Sequence, residues 1–325
     1  MQPEEYLKYY SLGERRKFQQ LSESAANKTY LVEAKNRQYI LRIYDAAKTG
    51  EEVSYEHEVI KHLVQHNFLS PKPVLLISGG SFGLADQYFA LFEHLPGHPL
   101  RGPEITSENI HSVGEVLGWF HLLLKDFQPN HKKQSGDLEG ALQLLKDNKS
   151  KLLASNYEGI EDLYDELEAA LKNMRFEAEL PRGIVHSDMH QENVLFRHGE
   201  VSGVLDFDNC YEGQLIIDVA TEIIWWCFRD TKFHQDFYRS FLRGYTSQRV
   251  FSKIEKEYFW MALKFSILKM VVRSLCFYYL LGKQVETYGA EAGNINPEYF
   301  REIYRECITN QKYILESFPL YEQNL

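Results

Sequence analysis

The sequence predicts a two-lobed α+β fold: a small antiparallel sheet with one helix, followed by a larger, mostly helical lobe. Three observations predict it. Up to about residue 93, short runs rich in Tyr, Leu, Val and Ile alternate with polar turns. From about Thr106 onward, apolar residues recur at helical spacing. The change follows Leu95-Pro96-Gly97, a turn signal. The first lobe is therefore set at residues 1–93, the connection at 94–97 and the second lobe at 98–325.

In chain order, Thr29–Ala34 and Gln38–Tyr44 read as a hairpin closed by the polar turn Lys35-Asn36-Arg37. Glu51–Val64 reads as a helix, with Val59, Ile60, Leu63 and Val64 on its apolar face. Pro71 and Pro73 break that pattern. Val74–Ile77 and Tyr88–Phe92 then read as two further strands around a glycine-rich turn. The expected helices of the second lobe are Ser107–Phe127, Leu138–Ala154, Glu158–Phe176, Leu215–Arg229, Lys232–Tyr245, Ile254–Gly282 and Pro297–Phe318. Short strands at Gly183–His186, Val194–Arg197 and Ser202–Asp206 interrupt them.

Composition narrows the function. At 44% hydrophobic and 25% charged residues over 325 positions, the chain is an ordinary folded protein. A net charge of −10 speaks against non-specific nucleic-acid binding, which needs a basic surface to displace counterions. It fits a cationic or zwitterionic small-molecule partner better than an anionic polymer. Cys210, Cys227, Cys276 and Cys307 form no C-x-x-C pair, so neither a zinc site nor a redox motif is signalled. The opening residues lack the apolar core of a signal peptide, and a reducing cytoplasm is the expected location. Tyr258–Leu281 has the length and apolarity of a membrane span but carries Lys264, Lys269 and Arg273. Each cation would cost about 2.5–3.5 kcal/mol at a bilayer centre, so a buried helix and no membrane partner are expected.

The chemistry lies in one loop. Gly183–Phe196 contains the string His186-Ser187-Asp188-Met189-His190-Gln191-Glu192-Asn193, which is H-x-D-x-x-x-x-N, and Asp206 follows thirteen positions after Asn193. Phosphoryl transfer needs a carboxylate beside the attacking hydroxyl and oxygen ligands that hold a divalent cation against the phosphates. One carboxylate and one amide on a loop, with a second carboxylate on the next turn, supply all three groups. His186 and His190 could also be read as an H-x-x-x-H metal pair, but they carry neither a helical pattern nor the glutamate of H-E-x-x-H.

This segment resembles the loop of the aminoglycoside phosphotransferase, choline kinase and homoserine kinase superfamily, usually H-G-D-x-H-x-x-N followed by a D-F-D or D-W turn. The resemblance covers nearly the whole chain and implies a bilobal protein-kinase-like fold, ATP as co-substrate and Mg²⁺ as cofactor. It implies that Asp188 is the catalytic base or orients the hydroxyl, that His186 braces the loop, and that Asn193 and Asp206 ligate the metal. Ser187 stands where the family has glycine, which requires an unstrained backbone angle there.

In the first lobe the resemblance is carried by weaker motifs. Ser24-Ala25-Ala26-Asn27 takes the place of the phosphate-covering loop, and Ser24 and Asn27 are the expected nucleotide contacts, although residues 14–49 contain no glycine. A Walker-type G-x-x-x-x-G-K-[ST] is absent. Arg42, in Tyr39-Ile40-Leu41-Arg42, takes the place of the phosphate-binding strand lysine, and its planar fork differs from an ammonium. Glu56 is its expected helix partner, with Glu58 as the alternative. Glu93 and Leu95, at the connection, are the expected main-chain contacts to adenine. Asp218 resembles the aspartate that ties its helix to the loop, though it could equally be an ordinary N-terminal helix carboxylate.

A helix is expected within about a dozen residues of Asp206, so the long activation segment and A-P-E motif of protein kinases have no place. The implied acceptor is a small molecule with a hydroxyl group, such as homoserine, choline or an aminoglycoside. Trp225, Trp226, Phe277, Tyr278 and Tyr279, with Glu222 and Arg273 near them in sequence, mark the region expected to face it, although aromatic stripes at helical spacing usually fill cores. Two other readings stand: a nucleotide-binding protein that no longer transfers phosphate, and an atypical protein kinase. A homodimer is compatible with the sequence.

Overall fold

A computed structural model describes residues 2–13, 16–23, 27–133, 136–280 and 296–319. The chain divides into two compact units. The first comprises Met1–Gly97 with Gln128–Lys133 and Ser202–Asp208; the second comprises His98–Phe127, Gln134–Val201 and Asn209–Leu325.

The first unit is built on a five-stranded sheet of β1 (Arg16–Glu23), β2 (Asn27–Ala34), β3 (Arg37–Tyr44), β4 (Gly83–Leu84) and β5 (Tyr88–Glu93), in the order β1-β2-β3-β5-β4. All neighbours are antiparallel. Side chains alternate across the pleat. Tyr30, Val32, Leu41, Ile43, Phe89 and Leu91 therefore share one face, which is covered by Tyr6, Leu7 and Tyr10 of the 3-10 turn Pro3–Tyr9. Arg42 pairs with Thr29 and Ala90, one position out of phase with that apolar face. Helix α1 (Gly50–Gln65) starts at a capping box: Glu52 N donates to Thr49 Oγ1 (3.3 Å) and Thr49 N to Glu52 Oε2 (2.9 Å).

Three expectations change here. Val74–Ile77 is not a strand: Leu75 and Ile77 are 61% and 72% exposed. Val74 N donates to Leu91 O, but Leu76 N then turns back to Gly80 O, both at bonds under 3 Å (2.7 and 2.8 Å). Pro71 and Pro73 lack the donors a ladder needs, and Gly79 takes a φ of 94° that ends the run. The 3-10 turn was not expected, and no residue pattern predicts strand β1, because Arg16–Glu23 is mostly polar and shows no alternation. Finally, two stretches assigned to the second lobe pack with the first. Val204 N donates to Leu69 O (2.7 Å), and Asn130 N donates to Glu58 Oε2 (2.7 Å).

The second unit contains α2 (Ser107–Leu123), α3 (Leu138–Asp147), α4 (Lys149–Leu153), α5 (Ile160–Asn173), β6 (Arg182–Val185), β7 (Val194–Arg197), the start of β8 (Glu200–Val204), β9 (Tyr211–Gln214) and α6 (Leu215–Trp226). After these come β10 (Phe228–Arg229), β11 (Lys232–Phe233), α7 (Gln235–Gln248), α8 (Lys253–Arg273), a π-helical turn Ser274–Tyr279, α9 (Pro297–Thr309) and α10 (Gln311–Glu316). Expected single helices split at Asn148 and Asn310, each the cap between two shorter helices. Every residue of α6 is buried, which makes it the central helix. Helices α2 and α7 pack backbone to backbone: a Cβ on Gly244 would collide with the His111 carbonyl, and one on Gly114 with that of Phe241. Strands β6 and β9 pair antiparallel and fix both ends of the stretch that holds the H-x-D-x-x-x-x-N loop. Among the described residues no helix is long and apolar enough to cross a membrane.

Candidate active site

In the second unit, the loop after β6 hangs on one buried carboxylate. Asp218, four residues into α6 and 1% exposed, accepts His186 N at Oδ2 (2.8 Å) and Ser187 N at Oδ1 (2.7 Å). His121 Nε2 lies 3.0 Å from the same Oδ2. An ionised carboxylate only accepts, so Nε2 carries the imidazole proton and Nδ1 accepts from the Tyr245 hydroxyl (2.8 Å). Burial alone would raise the pKa of Asp218, but the bonds from His121 and His186 N hold it below the usual value. Of the two roles open to Asp218, the geometry selects the tie to the loop. The His186 ring is fully buried and edge-on to Phe120.

Ser187 has φ 66°, in the left-handed region that favours glycine. The unstrained angle expected of a serine there is not what the fold provides. Immediately after it, Met189 N donates to Glu222 Oε1 (2.9 Å), and its carbonyl accepts Trp226 Nε1 (2.7 Å). The Asp188 carboxylate is left 19% exposed, with Asn209 Nδ2 donating to Oδ2 (3.0 Å) and His190 Nε2 at 3.9 Å from Oδ1. Asn193 Nδ2 donates to the Asp188 carbonyl (2.8 Å) and lies 3.1 Å from His190 Nε2. Its amide nitrogen is thereby committed.

In the first unit, Arg42 Nη1 donates to Glu56 Oε1 (3.0 Å) and pairs with Asp206 Oδ1 (3.2 Å). Burial would lower the arginine's pKa, yet Asp206 and Glu56 outweigh it and raise it further. Burial raises that of Glu56 against the pull of Arg42. Glu58 is taken instead by Asn130 and by His131 Nδ1 (2.9 Å), so the helix partner of Arg42 is Glu56. Asp206 has φ 64°, a second non-glycine residue in the left-handed region. Two positions on, Asp208 Oδ2 accepts Asn27 Nδ2 (3.0 Å) and pairs with Lys48 (3.4 Å), while Lys133 Nζ donates to its carbonyl. Burial opposes ionisation of Asp208, but Lys48, Arg42 and Lys133 prevail and bring it to about 2.

The fold thus brings Arg42, Glu56 and Asp206 together in one unit, and Asp188 and Asn193 in the other. Asn27 contacts Asp208; Ser24 lies outside the described residues. Glu93 N donates to Lys72 O (2.9 Å), so any contact from Glu93 to a base uses another of its groups. Leu95 lies two residues past the end of β5. Trp225 and Trp226 are buried, as aromatic core residues are. Tyr279 is edge-on to Tyr157, and the side chains of Phe277 and Tyr278 lie outside the described residues. Sequence reasoning missed Lys48, Lys133, Asn209 and the role of Glu222. For Glu222 a signal existed: a glutamate one turn after Asp218 in an otherwise apolar helix.

Burial, with Asp218 and Asp188 nearby, pushes the Glu222 carboxyl well above its ordinary 4.5. Above that pH the unfolded chain releases a proton that the folded chain retains, so this group lowers stability as pH rises. Glu222→Gln, which keeps an oxygen for Met189 N, is expected to raise the melting temperature at pH 7, with the gain shrinking to nothing near pH 4.5. Calorimetric scans across that range check it; a variant that melts lower at pH 7 would show the carboxylate to be ionised.

The chain is similar to known proteins. The homoserine kinase of Caulobacter vibrioides (strain NA1000 / CB15N) is 28% identical over 263 residues, 78% of this chain and 80% of its own. Among solved structures, amicoumacin kinase hAmiN in complex with AMP-PNP, Ca²⁺ and Ami superposes with a TM-score of 0.69 at 21% identity, over 98% of this chain and 95% of its own. A choline kinase from Cryptosporidium parvum Iowa II does so with 0.66 at 15% identity, over 95% and 94%. Both share the two-part α+β fold. The model of the phosphotransferase enzyme family matches residues 17–253, which include the sheet, the H-x-D-x-x-x-x-N loop, Asp206 and Asp218. The chain belongs to the phosphotransferase enzyme family and is a small-molecule kinase.

Proposed function

We propose that the chain transfers the γ-phosphoryl group of ATP to a hydroxyl of a small amino alcohol or hydroxy amino acid, with homoserine as the type. The observation that carries this reading is the 186–193 loop. It holds a partly exposed Asp188 carboxylate and an Asn193 whose amide nitrogen is already bonded, on a backbone fixed from behind by Asp218. Asp188 orients the acceptor hydroxyl and takes up its proton as the oxygen attacks in line; no covalent enzyme intermediate forms. Asn193 Oδ1 and the Asp206 carboxylate are hard oxygen donors of the kind Mg²⁺ prefers. An ion held by such donors would neutralise phosphate charge. Arg42, held in place by Glu56, donates to the phosphates.

The acceptor class is supported by the 28% identity to a homoserine kinase and by Arg273, a half-buried cation on α8 whose charge acts on His190. A carboxylate on the acceptor would be drawn to it. The test is ADP release from Mg·ATP across homoserine, choline, an amino alcohol and an aminoglycoside. Homoserine or a close analogue is expected to stimulate turnover. Nucleotide binding with no stimulation by any acceptor would favour a nucleotide-binding protein without transfer, in keeping with Arg42 and Ser187 at positions the family gives to lysine and glycine. Labelling of a generic protein mixture would favour an atypical protein kinase.

A further inference from the structure

Behind the catalytic loop lies a lysine that none of the roles above uses. Lys269, on α8, is 3% exposed, and among the described residues its ammonium makes one hydrogen bond, donated to Ser187 Oγ (3.2 Å). Nearby, the Tyr211 hydroxyl donates to Gly136 O (3.2 Å). A buried lysine costs a protein stability unless its charge is used. Ser187 also has a φ of 66°, which disfavours most side chains, and it sits between the N–H bonds to Asp218 and Asp188 itself.

From this juxtaposition we propose that Lys269 is a positioning residue for phosphoryl transfer: its ammonium grips Ser187 Oγ and holds a non-glycine residue in the left-handed turn that presents Asp188. Lysine and serine together do what glycine does unaided in the related loops. The charge environment agrees. Burial and Arg273 lower the Lys269 pKa to about 8, against Asp218 and Asp188, while the Tyr211 ring lies 6.0 Å away. The ammonium is thus the dominant form at neutral pH, and it is kept although burial disfavours it.

The inference rests on the transferase reading for its kinetic part, but its structural part can be tested without an acceptor. The experiment is a double-mutant cycle of Lys269→Met and Ser187→Gly in the full chain, read by hydrogen exchange of the 186–193 amides and by kcat and KM. Lys269→Met alone is expected to speed loop exchange about 10-fold and lower kcat about 10- to 100-fold, with the KM for ATP within twofold, because the loop loosens while the nucleotide half is untouched. Ser187→Gly alone leaves the ammonium buried without its partner and also loosens the loop. The double variant, lacking both the strained serine and the orphaned charge, is expected to exchange and turn over within a few-fold of wild type. Independent, additive losses in exchange would overturn the proposal, as would a Lys269→Met loop that exchanges like wild type. If no acceptor supports turnover, the functional reading fails, while the exchange cycle still decides this one.

Discussion

Asp188→Asn is expected to lower kcat about 10³-fold while the affinity for Mg·ATP stays within a few-fold of wild type. The side chain keeps its size, and the main-chain carbonyl that accepts Asn193 Nδ2 is unchanged, so the loop has no reason to move. What is lost is the negative charge that draws the acceptor hydroxyl into line and takes its proton. A second effect adds to it: Asn209 Nδ2 now donates to a carboxylate oxygen at 3.0 Å, and would face an amide whose nitrogen can only repel it in one orientation. Single-turnover rates at saturating acceptor, beside nucleotide titrations and melting curves, separate chemistry from binding and folding. Near-normal turnover with intact nucleotide binding would remove Asp188 from the reaction.

Asp218→Ala is expected to combine a large loss of stability with a loss of activity. Three donors, His186 N, Ser187 N and His121 Nε2, would be left in a site closed to water. Orphaning buried partners of a charged group costs about 3–5 kcal/mol, which corresponds to a fall in melting temperature on the order of 10 °C. Because the same carboxylate pins the strained turn at Ser187, kcat is expected to fall about 100-fold at temperatures where the variant is still folded. Asp218→Asn checks the electrostatic part. The native carboxyl sits below its usual 3.8, so its contribution is complete above that pH and is lost as pH falls through the folded value. The stability gap between wild type and Asp218→Asn should therefore narrow in acid; a gap that stays constant with pH would mean that Asp218 is not held by its charge.

The sequence alone determined what depends on neighbours in the chain. The β2–β3 hairpin, helix α1 and the H-x-D-x-x-x-x-N string are each set by a local period or spacing, and a strand followed by a helix placed Arg42 against Glu56. It could not determine Val74–Ile77, where apolar residues satisfy a strand pattern but flanking prolines and Gly79 remove the ladder, nor the polar strand β1, which only its pairing with β2 makes a strand. The choice of Glu56 over Glu58 was decided by Asn130 and His131, 72 and 73 positions away from Glu58. The assignment of Asp206 and Asp208 to the sheet unit, the Asn209 bond to Asp188 and the Lys269 grip on Ser187 likewise belong to tertiary structure. So do the sign of φ at Ser187 and the raised pKa of Glu222. Backbone angle and protonation follow from what surrounds a group once it is buried, and for Ser187 the side chain that touches it stands 82 residues further along the chain.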